Sequence, residues 1–541
     1  MIAYVRSTSD NAMRCLNFYL EATTLILLRR ANWVRIGIFA PRLLLALAFT
    51  SQGVTCGQAK NNHANSRGGG ERINNSVIIN RFEGRGVGLL LGSPLSDATA
   101  DIEDFNRHTP PEWNALSTEA KIKLADLLSW KNLSKWEFNI VEVAESTSDP
   151  LLLVGWALLC EPMAQEAMRR SVAVDTINGD EDVNLVGDVA SENGKSYHYH
   201  YHFHEHFKIN PRTICNFLRE IERRYDRNNP FHNNIHAADV TQTTHCLFQL
   251  MDQRYRRRIF DPITIFSLIL AATFHDVYHP GTNNLFQENA MTPIAIEYND
   301  VSILENMHSA VGHSLLMGEK KQDEWDVFEG WTHDDKVRAR KVMVKSILST
   351  DMAGHFRLVS DLKEAVAQRG VLTKEISGDD ASAEIGGEEP APMLSVIACE
   401  YEGDDLSRLE IERECDQLAD LIVRFLLHSA DISNAAKAGD LPVYWGNRVL
   451  DEFFEQGDKE KEMGLPISPN CDREIVKRPE SQISFINIFV QPLFDLLGKL
   501  IPRVKEEVSP AIGVTLEYWE QEKLKSCIPA TEESENSTEE E

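Results

Sequence analysis

The stretch Thr273-Phe-His-Asp-Val-Tyr-His-Pro-Gly-Thr-Asn-Asn284 constrains this chain more than any other. It follows an apolar run, Ile259 to Ala272, that reads as a buried helix. Three metal-capable side chains, His275, Asp276 and His279, then fall within five residues. Alone, a His-Asp pair at the end of an apolar helix reads as a capping Asp beside a satisfied core His. Three further segments shift that balance. Asn229-Pro-Phe-His-Asn-Asn-Ile-His-Ala-Ala-Asp239 lies upstream, and His428-Ser-Ala-Asp-Ile-Ser-Asn434 and Ser481-Gln-Ile-Ser-Phe485 lie downstream.

Together these four segments resemble the catalytic domain of the class I 3′,5′-cyclic nucleotide phosphodiesterase family. The signature His-Asp-x-x-His-x-Gly-x-x-Asn is matched at His275, Asp276, His279, Gly281 and Asn284. The resemblance extends from about Asn132 to Trp519, with the motifs in the family's order. It implies an all-α, compact multi-helix HD-type catalytic domain. Consistent with that, strand signals are nearly absent and no internal repeat is visible.

The net charge of −28 argues against nucleic acid as a partner, because phosphate binding needs clustered Lys and Arg. Nine cysteines, odd in number and without a Cys-x-x-Cys pair, favour reduced thiols in a cytoplasmic compartment. The charge is uneven, however. Residues 1–95 carry eleven Lys/Arg and four Asp/Glu, so nearly all the acid lies beyond them.

The chain therefore divides into a basic, acid-poor segment and linker (1–95), a helical lead-in (96–130), a catalytic domain (131–525) and an acidic tail (526–541). The run Leu43 to Phe49 is too short to span a bilayer, which needs about 20 residues. Residues 1–50 read as a signal sequence, an organelle transit peptide, an interfacial membrane anchor or a mis-assigned start. Acidic insertions are expected near 163–200, including Asp175 to Asp188, and near 361–405, whose Gly/Ser/Asp/Glu-rich centre reads as a disordered loop. Tyr197 to His206 places five histidines at alternate positions; it reads as a loop or the start of a helix rather than a metal site. Asn210 to Leu250 reads as helical.

His232 and His236 are four apart, so on a helix they share a face. His236, His275, Asp276 and Asp431 supply two imidazoles and two carboxylates, a set that suits a zinc-type ion with positions open to water. By the resemblance, all four bind a first metal and Asp276 bridges to a second, mostly water-coordinated Mg²⁺ or Mn²⁺. His279, Glu305 and Thr350 match family positions that hold its waters. Two such cations, about 4 Å apart, would neutralise a cyclic phosphodiester and lower the pKa of water. His232, which is no ligand in the family, is the candidate general acid for the departing ribose oxygen.

Gln482 and Phe485, three apart on a helix, can face one ligand. In the family the amide bonds the purine edge, the ring stacks on it, and an apolar residue matching Val449 clamps the other face. Asn434 matches the Asn that faces adenine in cAMP-preferring relatives; otherwise it merely turns the chain. Two departures stand out: Phe231 where many relatives have Tyr, and Tyr278 in place of a common acidic residue.

The resulting expectation is a two-metal phosphodiesterase that hydrolyses cyclic purine nucleotides, cAMP before cGMP. The rivals are another HD-type nucleotide hydrolase, which would not need Gln482 and Phe485, and an inactive nucleotide-binding scaffold. A homodimer is one open assembly state.

Overall fold

The computed structural model describes residues 109–177, 199–253, 256, 259–317, 325–376 and 405–526. Among these residues the regular structure is helical and contains no strand, as the all-α reading expects. They belong to the second of two units, Gly92–Glu541. The readings made for residues 1–95, for the acidic stretch beyond Ile177, for residues 377–404 and for the tail from Cys527 lie outside the described residues.

Helix starts follow local chemistry. Helix α1, Thr118–Leu127, begins at Ser117, whose hydroxyl accepts from the Ala120 N–H at 3.2 Å. Helix α2, Pro150–Leu159, has proline in its first turn and is apolar and buried all round. Burying its leucines contributes roughly 1.5–3 kcal/mol each. α3 spans Met163–Ile177 and α4 spans Pro211–Glu222, with Asn210 as cap. α5, Asn234–Leu250, is capped by Asn233, whose Oδ1 accepts from the N–H groups of Ile235 and His236.

α5 is the central helix, buried from end to end although rich in polar residues. Most of those residues are hydrogen-bonded internally, His236 Nδ1 and Asp239 Oδ2 excepted. Thr241, Thr243 and Thr244 donate to carbonyls four residues back. Gln242 donates to the carbonyls of Leu133 and Lys135, and His245 lies between Ser134 and the Tyr201 hydroxyl. Around α5 pack α2, α6 (Pro262–Thr273) and the later helix Asp405–Asp431. The remaining long helices are α7 (Ile303–Met317), α8 (His333–Leu348), α9 (His355–Ile376), α10 (Asp405–Asp431), α11 (Leu441–Met463), α12 (Arg478–Phe485), α13 (Gln491–Leu500) and α14 (Ser509–Ser526). α12 runs into α13 through a wider turn at Ile486–Val490.

This packing brings the start of α5 to the ends of α6 and α10. His236 lies in the first turn of α5, His275 and Asp276 directly follow α6, and Asp431 ends α10. One glycine makes the approach of α7 feasible. A Cβ at Gly312 would sit 2.1 Å from the Phe274 ring, immediately before His275.

Three points refine the sequence reading. The stretch Asn210 to Leu250, read as helical, is two helices joined by a turn, because the Asn233 side chain satisfies the first amides of α5 and starts it afresh. Residues 163–177 and 361–376, within the stretches expected to carry insertions, are helical in α3 and α9. The histidine run is, as expected, a loop that enters a short helix, Phe203–Phe207; Tyr201 and Phe203 are buried, and His200 is engaged as well. It stacks on Trp130 and pairs through Nδ1 with the buried Glu161 at 2.6 Å.

Candidate active site

His275 donates its Nδ1–H to the Ala272 carbonyl at 2.9 Å, which leaves Nε2 as the inward-facing lone pair. That atom is buried without a hydrogen-bond partner. It lies 3.3 Å from Asp276 Oδ2 and 3.4 Å from Asp431 Oδ1. His236 Nε2 lies 3.1 Å from the same Asp431 oxygen and 3.6 Å from Asp276 Oδ2. One ligand atom from each of the four residues falls within 4.8 Å of all the others. The two imidazoles are fully buried, whereas the Asp276 and Asp431 side chains are 11% and 15% exposed, so the carboxylates face the opening.

This electrostatic arrangement requires positive charge. Burial opposes ionisation of Asp276, yet the adjoining His275 holds its carboxyl well below the usual range. Asp431 is likewise held low against its burial by the hydrogen bond from His236 and by the adjoining His275. Burial alone would lower the His275 pKa, but the Asp276 and Asp431 carboxylates raise it well above its ordinary value. Two imidazole nitrogens and two carboxylates converging on one point, one nitrogen unpartnered, fit a divalent cation.

A second group adjoins the first. Glu452 of α11 accepts the backbone N–H groups of Phe231 and His232 at 2.9 Å each through Oε2. Its Oε1 accepts from His232 Nδ1 at 2.5 Å. His232 therefore presents Nε2, and its side chain is 21% exposed while that of His236 is not exposed at all. Burial would lower the His232 pKa; the Glu452 carboxylate overrides it and raises the value to about 9. Glu452, conversely, is pushed down to about 2 against its own burial. The His232 ring stacks on His279 with centroids 3.9 Å apart. His279 is lowered to about 3 by burial and by the charge on His232.

His232 corrects a detail of the sequence reading. It precedes Asn233, the cap of α5, so it does not share a helical face with His236. The two rings nonetheless lie 5.7 Å apart. Glu305 accepts from Asn284 Nδ2 at 2.9 Å, and burial together with Asp351 pushes it up to about 8. Thr350 gives its hydroxyl to the Ile347 carbonyl at 2.7 Å.

Sequence reasoning missed two members. Glu452 is 3% exposed although it sits among charged neighbours in Leu450-Asp-Glu-Phe453. His308 donates Nδ1–H to the Val277 carbonyl at 2.6 Å and points Nε2 at Asp276 Oδ1, 3.6 Å away. Its helical spacing from Glu305, three residues apart, was the available signal.

The residues expected to hold the base lie on α11, on α12 and in the turn after α10. Gln482 is buried, donating through Nε2 to the Gly446 carbonyl at 3.3 Å. Val449 lies three residues beyond Gly446 on α11, and both Val449 and Phe485 are half-buried. Asn434 sits in the tight turn Ser433–Ala436, its Oδ1 buried without a partner. Phe231, which the resemblance places at the substrate site, lies beside the cluster. Its ring is buried against the His236 imidazole (centroids 4.5 Å apart) and against Trp445 (5.5 Å), where it supports the cluster.

Residues 231–511 match the family model described as 3′5′-cyclic nucleotide phosphodiesterase. The chain belongs to this family. Within it, the chain is 32% identical over 316 residues to the 3′,5′-cyclic-AMP phosphodiesterase 4C of Rattus norvegicus, covering 58% of this chain and 51% of that one. It is 33% identical over 314 residues to the 3′,5′-cyclic-AMP phosphodiesterase, isoform F, of Drosophila melanogaster, covering 58% and 41%. The chain thus spans about half the length of these phosphodiesterase relatives, or less. Its fold resembles the crystal structure of the phosphodiesterase domain of the RhoPDE fusion protein from the choanoflagellate Salpingoeca rosetta. The TM-score is 0.53 at 23% identity, over 74% of this chain and 99% of that one.

Proposed function

We propose that this chain hydrolyses 3′,5′-cyclic purine nucleotides to 5′-monophosphates, with cAMP favoured over cGMP. One observation carries the reading: a cluster of two imidazoles and two carboxylates lies beside a partly exposed His232 whose tautomer is set by Glu452. The names of the relatives, cyclic-AMP phosphodiesterases, support the substrate class. His236, His275, Asp276 and Asp431 would hold a zinc-type ion, with Asp276 shared with a Mg²⁺ or Mn²⁺ ion. When bound, these cations lower the pKa of water and neutralise the phosphodiester charge.

The side chains of the protein do the rest. His232 donates a proton from Nε2 to the departing 3′ oxygen, while Glu452 holds Nδ1 and stabilises the charged ring. Gln482 and Phe485 hold the purine. The unpartnered Oδ1 of Asn434 can accept from the exocyclic amine of adenine, whereas guanine sets a carbonyl there. The reading is tested by assaying cAMP and cGMP side by side with added Mg²⁺, in wild type and Asn434→Ala. The expected result is preference for cAMP that falls about tenfold in the variant, as loss of a buried hydrogen bond implies. Failure to turn over either nucleotide would sink the proposal. We further propose a cytoplasmic enzyme associated with membranes or an organelle through residues 1–50. Fractionation of the full chain beside one beginning near Ser96 tests this, and identical partitioning would remove it.

A further inference from the structure

Lys437 and Asp239 form an ion pair inside the core. Each side chain is 1% exposed, and Nζ lies 2.7 Å from Asp239 Oδ1. Nζ also donates to Thr243 Oγ1 at 2.5 Å and lies 5.4 Å from the centroid of the Trp136 ring. The indole N–H of Trp136 in turn donates to the Ala436 carbonyl at 2.7 Å.

Stability does not account for this pair. Taking two charges out of water costs more than a buried pair usually returns, and apolar replacements are often neutral or better. Here the compensation is incomplete, because Asp239 Oδ2 is buried with no partner. What the pair does achieve is a connection. Asp239 lies three residues after His236 on α5, on the same face. Lys437 lies three residues after Asn434, and its N–H donates to the Asn434 carbonyl to close the turn. The pair therefore joins the helix that carries His236 to the turn that carries Asn434. That turn has no side-chain cap, and the Asn434 amide oxygen waits unpartnered.

We infer that the Lys437–Asp239 pair is a specificity-positioning device that holds the Ser433–Ala436 turn so that Asn434 meets the purine edge. The inference rests on the cyclic nucleotide reading above. Lys437 is a positioning residue, since it acts through Asn434 and touches no substrate itself. A short amide reaches its partner only over a few tenths of an ångström, so an untethered turn would lose the discrimination between bases before it lost turnover.

The test uses the full chain carrying Asp239→Leu and Lys437→Met together, which removes both charges without stranding either. Three quantities are read: hydrogen exchange over residues 432–437, metal content, and the cAMP/cGMP ratio of kcat/KM. Exchange should rise in that segment while the metal content stays at wild-type level. The ratio should fall about tenfold, the worth of one buried hydrogen bond, mainly through KM for cAMP. Adding Asn434→Ala in this background should lower the ratio no further, since coupled groups do not add. Thr243→Val, a gentler change that removes one acceptor of Nζ, should shift both readouts the same way by less and serves if the double variant folds poorly. Unchanged exchange would overturn the tether whatever the substrate, and faster exchange with an unchanged ratio would overturn its link to Asn434. A wild type inactive on both nucleotides would sink the phosphodiesterase reading instead, leaving exchange alone to decide the tether.

Discussion

Two histidine–carboxylate groups sit side by side in this protein and are built in opposite ways. In the first, the Asp276 and Asp431 side chains face one point together with two imidazole nitrogens, and one of those nitrogens has no partner. In the second, the Glu452 carboxylate is saturated by two backbone N–H groups and by His232 Nδ1. The first has acceptors in excess and calls for a cation. The second has donors matched to acceptors and stores a proton on a fixed ring. Similar residue types thus give a cation cage or a proton-holding dyad, depending on how many backbone donors reach the carboxylate.

The largest effects should come from the cage. His275→Ala or Asp431→Ala is expected to remove bound metal and with it turnover, measured by metal analysis and cAMP hydrolysis. Full metal content with full activity in either variant would break the distinction. His232→Ala should keep its metal and lose rate by roughly 10²–10⁴-fold, the usual worth of general acid catalysis. If this variant loses metal instead, the two groups have been assigned the wrong way round. Glu452→Gln should cost about 10- to 100-fold in kcat, as partners that orient a functional imidazole do, with metal content unchanged.

Glu222 sharpens the same comparison through stability. Like Glu452 it is buried and accepts a backbone N–H, from Leu152 at 2.8 Å, together with a side-chain donor, Asn234. Its cationic neighbour is Arg227, 3.6 Å away and 47% exposed, a weaker partner than His232 is for Glu452, so burial dominates and pushes its pKa from 4.5 up to about 8. The folded state then holds a proton that the unfolded chain releases. The associated stability is complete below about pH 4.5 and is lost as the pH rises to about 8. Glu222→Gln should therefore flatten the pH dependence of the melting temperature, matching wild type near pH 5 and exceeding it by a few degrees near pH 8. Parallel curves for the two proteins would show that Glu222 is ionised in the fold.

How much of this was legible in the sequence follows from what each residue advertises. His236, His275, Asp276 and Asp431 stand in motifs whose residue types have little other reason to cluster. The apolar run Ile259 to Ala272 displayed the buried helix Pro262–Thr273 directly. Glu452 was invisible, because a glutamate on a charged helix ordinarily faces water and no periodicity reveals a burial decided by another segment's N–H groups. His232 was read as helical because a spacing of four fits a helix, while the Asn233 cap that excludes it depends on backbone geometry. The tie from Lys437 to Asp239 spans 198 positions, and nothing local to either residue points to the other.

Gly312 carries a consequence for variation in this protein. It makes no polar contact with the site and lies on the helix behind Phe274, where a methyl group would occupy the space of the ring. Glycine inside a helix costs about 1 kcal/mol relative to alanine, so local stability would favour replacement. Any replacement, however, must displace the residue that leads into His275. In a saturation scan scored by function, this position should tolerate as little as a ligand does, while a scan scored on an isolated α7 peptide would rank alanine above glycine. Evolutionary drift and stabilising design would thus be pulled in opposite directions by a residue that touches none of the chemistry.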